Sequence, residues 1–151
     1  MQAFNANFRI QSKECIMTNE KLANIGIKAN YVEILPDVSI KEALRLFRED
    51  GQGIIFVCER NRRLLGILTD GDFRRALARS LDIDAPCAQI MNRAPVVAQG
   101  DISVSEARKK MDGGQAGSIF YLPIVDSHNR IINVLSREAL ISEDKLPITA
   151  V

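Results

Sequence analysis

The sequence predicts a mixed α/β (α+β) fold in which one strand–helix–strand–strand–helix pattern is written twice. Three observations carry this. Continuous apolar runs of strand length, Ile54–Cys58 and Tyr121–Val125, alternate with segments of helical period. Glycines break the first helix of each half at matching places, Gly51-Gln52-Gly53 and Gly113-Gly114. The order of elements also returns at a nearly constant offset: Ser39 answers to Ser103, 64 positions on, and Thr69 to Ser136, 67 positions on. Neither copy can bury its apolar face alone, so the two are expected to pack together.

In chain order, residues 1–30 read as a polar, irregular, partly mobile leader. Thr18 and Glu20 offer the start of a short helix there. The first repeat, residues 31–88, opens with the strand Val32–Leu35 and the turn Pro36-Asp37-Val38-Ser39. A helix over Lys41–Asp50 buries Ala43, Leu44 and Phe47. The strand Ile54–Cys58, the turn Asn61-Arg62-Arg63, the strand Leu64–Leu68 and a helix over Phe73–Arg79 follow. The second repeat, residues 89–145, starts with a connector at Gln89–Asn92 and the strand Val96–Ala98. It continues with the helix Val104–Met111, the strands Tyr121–Val125 and Ile131–Leu135, and a helix opened by Ser136. Residues 146–151 read as the start of a following domain or a tail.

Composition narrows the function. Twenty basic residues against 19 acidic ones, a net charge of +1, give no electrostatic reason to expect nucleic acid or an anionic membrane as partner. The longest apolar runs are far too short to cross a bilayer. Cys15, Cys58 and Cys87 are widely spaced, which suggests neither a disulfide framework nor a metal site and fits a reduced, cytoplasmic setting. There is no nucleophile placed with a base, no phosphate loop and no paired carboxylates, so an independent small enzyme is disfavoured and no catalytic residue is assigned.

The segment Gly66-Ile67-Leu68-Thr69-Asp70-Gly71-Asp72 resembles the signature of CBS domains: Gly, two apolar residues, Thr or Ser, two variable residues, Asp. Gln89–Val97, with Met91 and Pro95, resembles the start of a second CBS copy, and Leu122–Asp126 resembles that family's Pro, two apolar residues and Asp. The resemblance implies two β-α-β-β-α repeats packed with pseudo-two-fold symmetry, and clefts that take AMP, ADP or ATP; no metal or resident cofactor is implied. By the same resemblance Asp72 accepts hydrogen bonds from the ribose hydroxyls, and Thr69 bonds ribose or phosphate. The amides of Asp70, Gly71 and Asp72 favour a phosphate at a helix start. Ile54 and Ile55 wall the base, and one of Arg74 and Arg75 neutralises phosphate. In the second copy Ser136 holds the Thr position, but Ala139 stands where the Asp belongs and Asn133 replaces the Gly, so that site is expected to be weak, differently selective or empty.

A narrower resemblance links Leu68–Leu77 to the CBS copies of bacterial sugar-phosphate nucleotidyltransferases and arabinose-5-phosphate isomerases. Arg130–Leu140 is nearer the former, and Leu146–Val151 reads as a strand leading into their catalytic domain. The resemblance implies a regulatory module, attached to such a domain and dimerising as a homodimer. A purely structural dimerisation module is the rival reading.

Most of these residues also have a plainer role. Thr69 and Asp72 form a helix-capping pattern, and Ser136 a simple cap. His128 is a surface turn residue, Cys58 a small core residue, and Arg60, Arg62 and Arg63 a solvated hairpin tip; Arg74, Arg75 and Arg79 can be a solvated helix face.

Overall fold

The computed structural model describes residues 8–11, 31–50, 53–100, 102–113 and 119–138. These fall into two compact units, residues 8–11 with 31–95, and residues 96 onward. Ala139, the closing helix beyond Glu138, the Thr18 helix and residues 146–151 lie outside the described residues.

The first unit is built on strand β2 (Tyr31–Ile34). Pro36 ends it, and Ser39 then caps helix α1 (Ile40–Asp50), its Oγ accepting the Glu42 N–H at 3.1 Å. The helix returns the chain so that β3 (Ile55–Cys58) pairs parallel to β2, with Val32 opposite Ile55. A tight hairpin, with Arg62 at φ 71°, leads into antiparallel β4 (Leu64–Leu68), and helix α2 (Asp70–Ala78) follows directly. On one face of the sheet Val32, Ile34, Ile55, Val57 and Leu68 meet Val38, Ile40, Ala43, Leu46 and Phe73 in a single core. The helix α2 begins three residues before its expected start, because Thr69 and Asp72 close its first turn.

The leader is not wholly without a place. Phe8–Gln11 forms β1, antiparallel to β2 from Phe8 opposite Ile34 to Gln11 opposite Tyr31, so the first sheet has the order β1-β2-β3-β4.

The second unit repeats the pattern without that fourth strand among the described residues. Its elements are β5 (Ala98–Gln99), α3 (Val104–Asp112), β6 (Tyr121–Val125) and β7 (Ile131–Ser136), in sheet order β5-β6-β7. The opening strand is shorter and later than Val96–Ala98, because only Ala98 and Gln99 find partners, Ile124 and Val125. Ser103 caps α3 as Ser39 caps α1, with Glu106 returning a carboxylate to the Ser103 N–H at 3.2 Å. The duplication holds at single-residue register: both hairpins slip at one place, beside Val57 paired with Gly66 and beside Ile124 paired with Asn133.

The connector, expected at the head of the second repeat, packs with the first. A 3₁₀ turn, Cys87–Gln89, sits against the core, the Cys87 N–H donating to Val38 O at 2.7 Å. Asn92 then exchanges both backbone hydrogen bonds with Ile67, at 2.9 and 3.0 Å. This crossing is why position 66 is glycine: a Cβ there would lie 2.6 Å from Asn92 O and 2.9 Å from the Met91 side chain. Gly66→Ala is therefore expected to destabilise the chain by about 1–3 kcal/mol in urea unfolding. Asn133→Ala, at the matching position of the second unit, is expected to cost less.

Cys58 and Cys87 are free and buried. Burial raises both thiols, Cys58 far beyond the ordinary range and Cys87 up to about 12. In a Cys15→Ser background the native chain should resist a thiol reagent at pH 8 and react at two sites once urea unfolds it.

Candidate functional site

Strand β4 ends at Leu68, and Thr69 turns the chain into α2 with an extended backbone, φ −125° and ψ 173°. The third helical residue, Asp72, points back at that turn. Its Oδ2 accepts the Thr69 N–H at 2.8 Å and the Thr69 hydroxyl at 3.0 Å, and its Oδ1 accepts Arg75 Nη2 at 2.5 Å. Asp72 is 5% exposed, so the first turn of a surface helix holds a nearly buried carboxylate. That geometry is the capping role foreseen for the pair. It also leaves one acceptor direction on Oδ1, since a carboxylate offers about four. The N–H groups of Asp72 and Phe73 both lean on Thr69 O, at 3.0 and 3.3 Å, leaving those of Asp70 and Gly71 to face outward at the helix start.

The two arginines differ. Arg75 folds back over Gly71, where a Cβ would come within 3.3 Å of its guanidinium, and covers Asp72 while its own side chain stays 64% exposed. Arg74 pairs with Asp70 at 2.7 Å on the open helix face. The register that sets Ile55 opposite Leu68 brings Ile54 beside Thr69. Ile54 and Ile55 therefore lie on opposite faces of the sheet: Ile55 belongs to the helix-side core, and only Ile54 can line a site at the Thr69 end. Thr69, Asp70, Gly71, Asp72, Arg75 and Ile54 are thus together at one strand end, with Arg74 and Ile55 turned away.

In the second unit Ser136 stands opposite Tyr121, the counterpart of Thr69 beside Ile54. Two neighbours escaped the sequence reading. Phe120 is 66% exposed at the start of β6, and the Arg137 N–H donates to its carbonyl at 2.8 Å. The Arg137 guanidinium reaches Met111 O at 3.2 Å, Ile119 O at 3.3 Å and the Asp112 carboxylate at 2.6 Å, tying the end of α3 to the start of β6. The available signal was Phe120 itself, a large aromatic placed just ahead of a strand.

Elsewhere, Arg62 corrects the reading of a solvated hairpin tip. Its guanidinium lies 2.9 Å from the carboxylate of buried Glu33 and 3.0 Å from the Tyr31 hydroxyl. His128 is a turn residue as expected: its N–H and that of Arg130 both donate to Asp126 Oδ1. The Arg130 N–H chiefly, then the His128 N–H and the Arg130 guanidinium, hold the Asp126 carboxyl below its ordinary value. No group of His, Cys, Asp and Glu among the described residues could hold a metal ion, and no described helix is long and apolar enough to cross a membrane.

Comparison with known proteins agrees with this architecture. The family model described as the CBS domain matches residues 22–79 and 87–145. The arabinose 5-phosphate isomerase of Pseudomonas aeruginosa is 31% identical over 110 residues, which cover 72% of this chain and 33% of that enzyme. An uncharacterized protein of Chlamydia muridarum is 33% identical over 129 residues, 76% of this chain and 39% of its own. The chain thus spans well under half the length of these two relatives. Among solved structures, a CBS domain protein of Pyrobaculum aerophilum complexed with AMP superposes with a TM-score of 0.66 at 22% identity, covering 83% of this chain and 98% of that one. With one family match on each of the two repeats, the chain belongs to the CBS domain family and is a tandem CBS pair.

Proposed function

We propose that this CBS pair is a regulatory module that binds an adenine nucleotide at the first repeat and controls an attached catalytic domain. The observation that carries this reading is the Thr69–Asp72 turn. It presents a buried carboxylate with an acceptor direction to spare, two outward amides at a helix start and the apolar Ile54 within one strand end. A ribose diol suits the carboxylate, a phosphate the amides and Arg75, and a base the apolar wall. The AMP-bound Pyrobaculum aerophilum relative supports the ligand class. The second repeat, with Ser136 and no matching carboxylate in sequence, is the weaker or empty site. The module is cytoplasmic, has no catalytic residue of its own and works as a homodimer.

The attached domain acts on a sugar phosphate in this reading. Similarity to arabinose 5-phosphate isomerase supports an isomerase. The segments Arg130–Leu140 and Leu146–Val151 support a nucleotidyltransferase instead. Isothermal titration of the chain with AMP, ADP, ATP and GTP tests the core of the proposal. Saturable binding of an adenine nucleotide, one per chain, is expected; no binding at millimolar concentration would leave the structural dimerisation module in its place.

A further inference from the structure

The second unit carries an open pocket of about 490 Å³, lined by Val97, Gln99, Ile102, Glu106, Lys109 and Lys110. That volume lies within the range of small-molecule sites. Every one of these residues belongs to the second unit, and none to the Thr69–Asp72 turn.

The first repeat neutralises the matching positions, 64 residues earlier in the chain. There Arg45 pairs with both Glu42 and Glu49, and Leu46 is buried in the core. Each of these features is changed in the second repeat. Gly113 stands in the place of Glu49, and Lys110 in the place of Leu46. Glu106 keeps the acid of Glu42 but turns its carboxylate back to the Ser103 N–H at 3.2 Å. Asp112, the next acid along α3, is taken by Arg137 at 2.6 Å.

Lys109 and Lys110 are thus exposed and in no ion pair among the described residues. One lysine in the last turn of a helix is ordinary, because it meets the negative end of the helix. Here two stand at a pocket from which the neutralising carboxylates have been replaced or turned aside. The same pocket has an apolar part in buried Ile102 and half-buried Val97, and Gln99 adds an amide.

We propose that this pocket binds an organic phosphate monoester with a small apolar body. A phosphate monoester carries a charge of about −1.5 to −2 at pH 7, which two ammonium groups match and a single carboxylate would not. Val97 and Ile102 receive the apolar body, and the Gln99 amide donates to a remaining oxygen. The site is separate from the Thr69–Asp72 turn and does not rest on the nucleotide reading.

Isothermal titration of the whole chain with phenyl phosphate, inorganic phosphate and phenol tests it. Saturable binding of phenyl phosphate is expected, about tenfold or more tighter than that of inorganic phosphate because the ring is also buried. It should weaken as salt rises, and phenol alone should not bind at millimolar concentration. Lys109→Gln/Lys110→Leu, which gives position 110 the first repeat's leucine, should weaken phenyl phosphate by about a hundredfold, since two charged hydrogen bonds are lost. Lys109→Arg/Lys110→Arg keeps both charges and should keep the binding. Melting curves without ligand check that both variants fold. The two sites are told apart by crossing the variants: Asp72→Ala should bind phenyl phosphate as the wild type does, and Lys109→Gln/Lys110→Leu should bind AMP as the wild type does. Four results would overturn the site. These are no phenyl phosphate binding at millimolar concentration, inorganic phosphate bound equally well, binding that survives Lys109→Gln/Lys110→Leu, and binding that is lost in Asp72→Ala.

Discussion

Asp72→Ala is expected to abolish the rise in melting temperature that an adenine nucleotide gives the wild type. A ligand at a hundred times its Kd stabilises the folded state by about 2.7 kcal/mol, a shift readily measured in a chain of this size. The Asp72 carboxylate is the group that would hold the ribose hydroxyls, and each hydrogen bond to a charged group contributes about 1.5–3 kcal/mol. Losing two of them weakens binding by at least about a hundredfold. Without nucleotide the variant should still fold, with the loss of a helix cap costing about 1 kcal/mol. Asp72→Asn separates the two roles: it keeps the shape and can still accept from Thr69, but loses the charge that draws Arg75. Arg75→Ala sharpens the test. Its guanidinium covers Asp72 at 2.5 Å from an exposed side chain, so it must either move aside for the ribose or turn to the phosphate. If it acts only as a cover, its removal strengthens AMP binding; if it meets phosphate, AMP binds more weakly while adenosine is unaffected. Wild-type affinity in Asp72→Ala would move the site away from this turn.

Much of this architecture was legible because the sequence repeats each local signal where the fold repeats an element. Ser39 and Ser103 each precede an amphipathic stretch, and both cap a helix. Ile54–Cys58 and Tyr121–Val125 are apolar without alternation, and both lie in the middle of their sheets. What was not legible has a common cause: it depends on partners far away in the chain. Phe8-Arg9-Ile10-Gln11 is too short and too mixed to announce a strand, and it becomes one only because β2 offers an open edge. The connector's motif marks the head of the second repeat, and the second family match begins there at residue 87, but nothing local shows that Cys87 and Met91 fill the first core. Arg62 sits in a run of arginines that reads as solvated, and only the fold brings buried Glu33 within 2.9 Å of it.

At the site the sequence pointed to the right turn without separating its members by direction. Thr69 and Asp72 face each other because the spacing Thr-x-x-Asp at a helix start makes them do so. Ile54 and Ile55, adjacent in sequence, must face opposite ways in an extended chain, so one of them was bound to lie outside any cleft. Arg74 and Arg75 diverge for the analogous helical reason, 100° apart around the axis, and the nearest carboxylate decides which way each folds.

Phe56→Ala should produce the largest loss of stability of any single substitution considered. Phe56 is fully buried in β3 and lies on the sheet face away from the helices, where its ring meets Tyr31 edge-on at 5.4 Å and 82°. Truncating a buried Phe to Ala costs about 3–5 kcal/mol, with the aromatic pair included in that range. Single domains hold only about 5–15 kcal/mol in total, and small ones lie near the lower end. The variant should therefore be close to half-unfolded in mild urea, with its midpoint far below that of the wild type and its slope unchanged. Phe56→Leu should restore most of the loss. The matching position in the second unit is Pro123, opposite Val134 as Phe56 is opposite Ile67, so no equivalent ring is there to share the load. The consequence reaches the site, because β3 and β4 carry Ile54 and Thr69 at their common end. Phe56→Ala should weaken nucleotide binding only through the folded fraction, so saturating AMP should recover stability in proportion to its concentration. A Phe56→Ala chain that keeps wild-type stability would mean that this sheet face is not packed as a core.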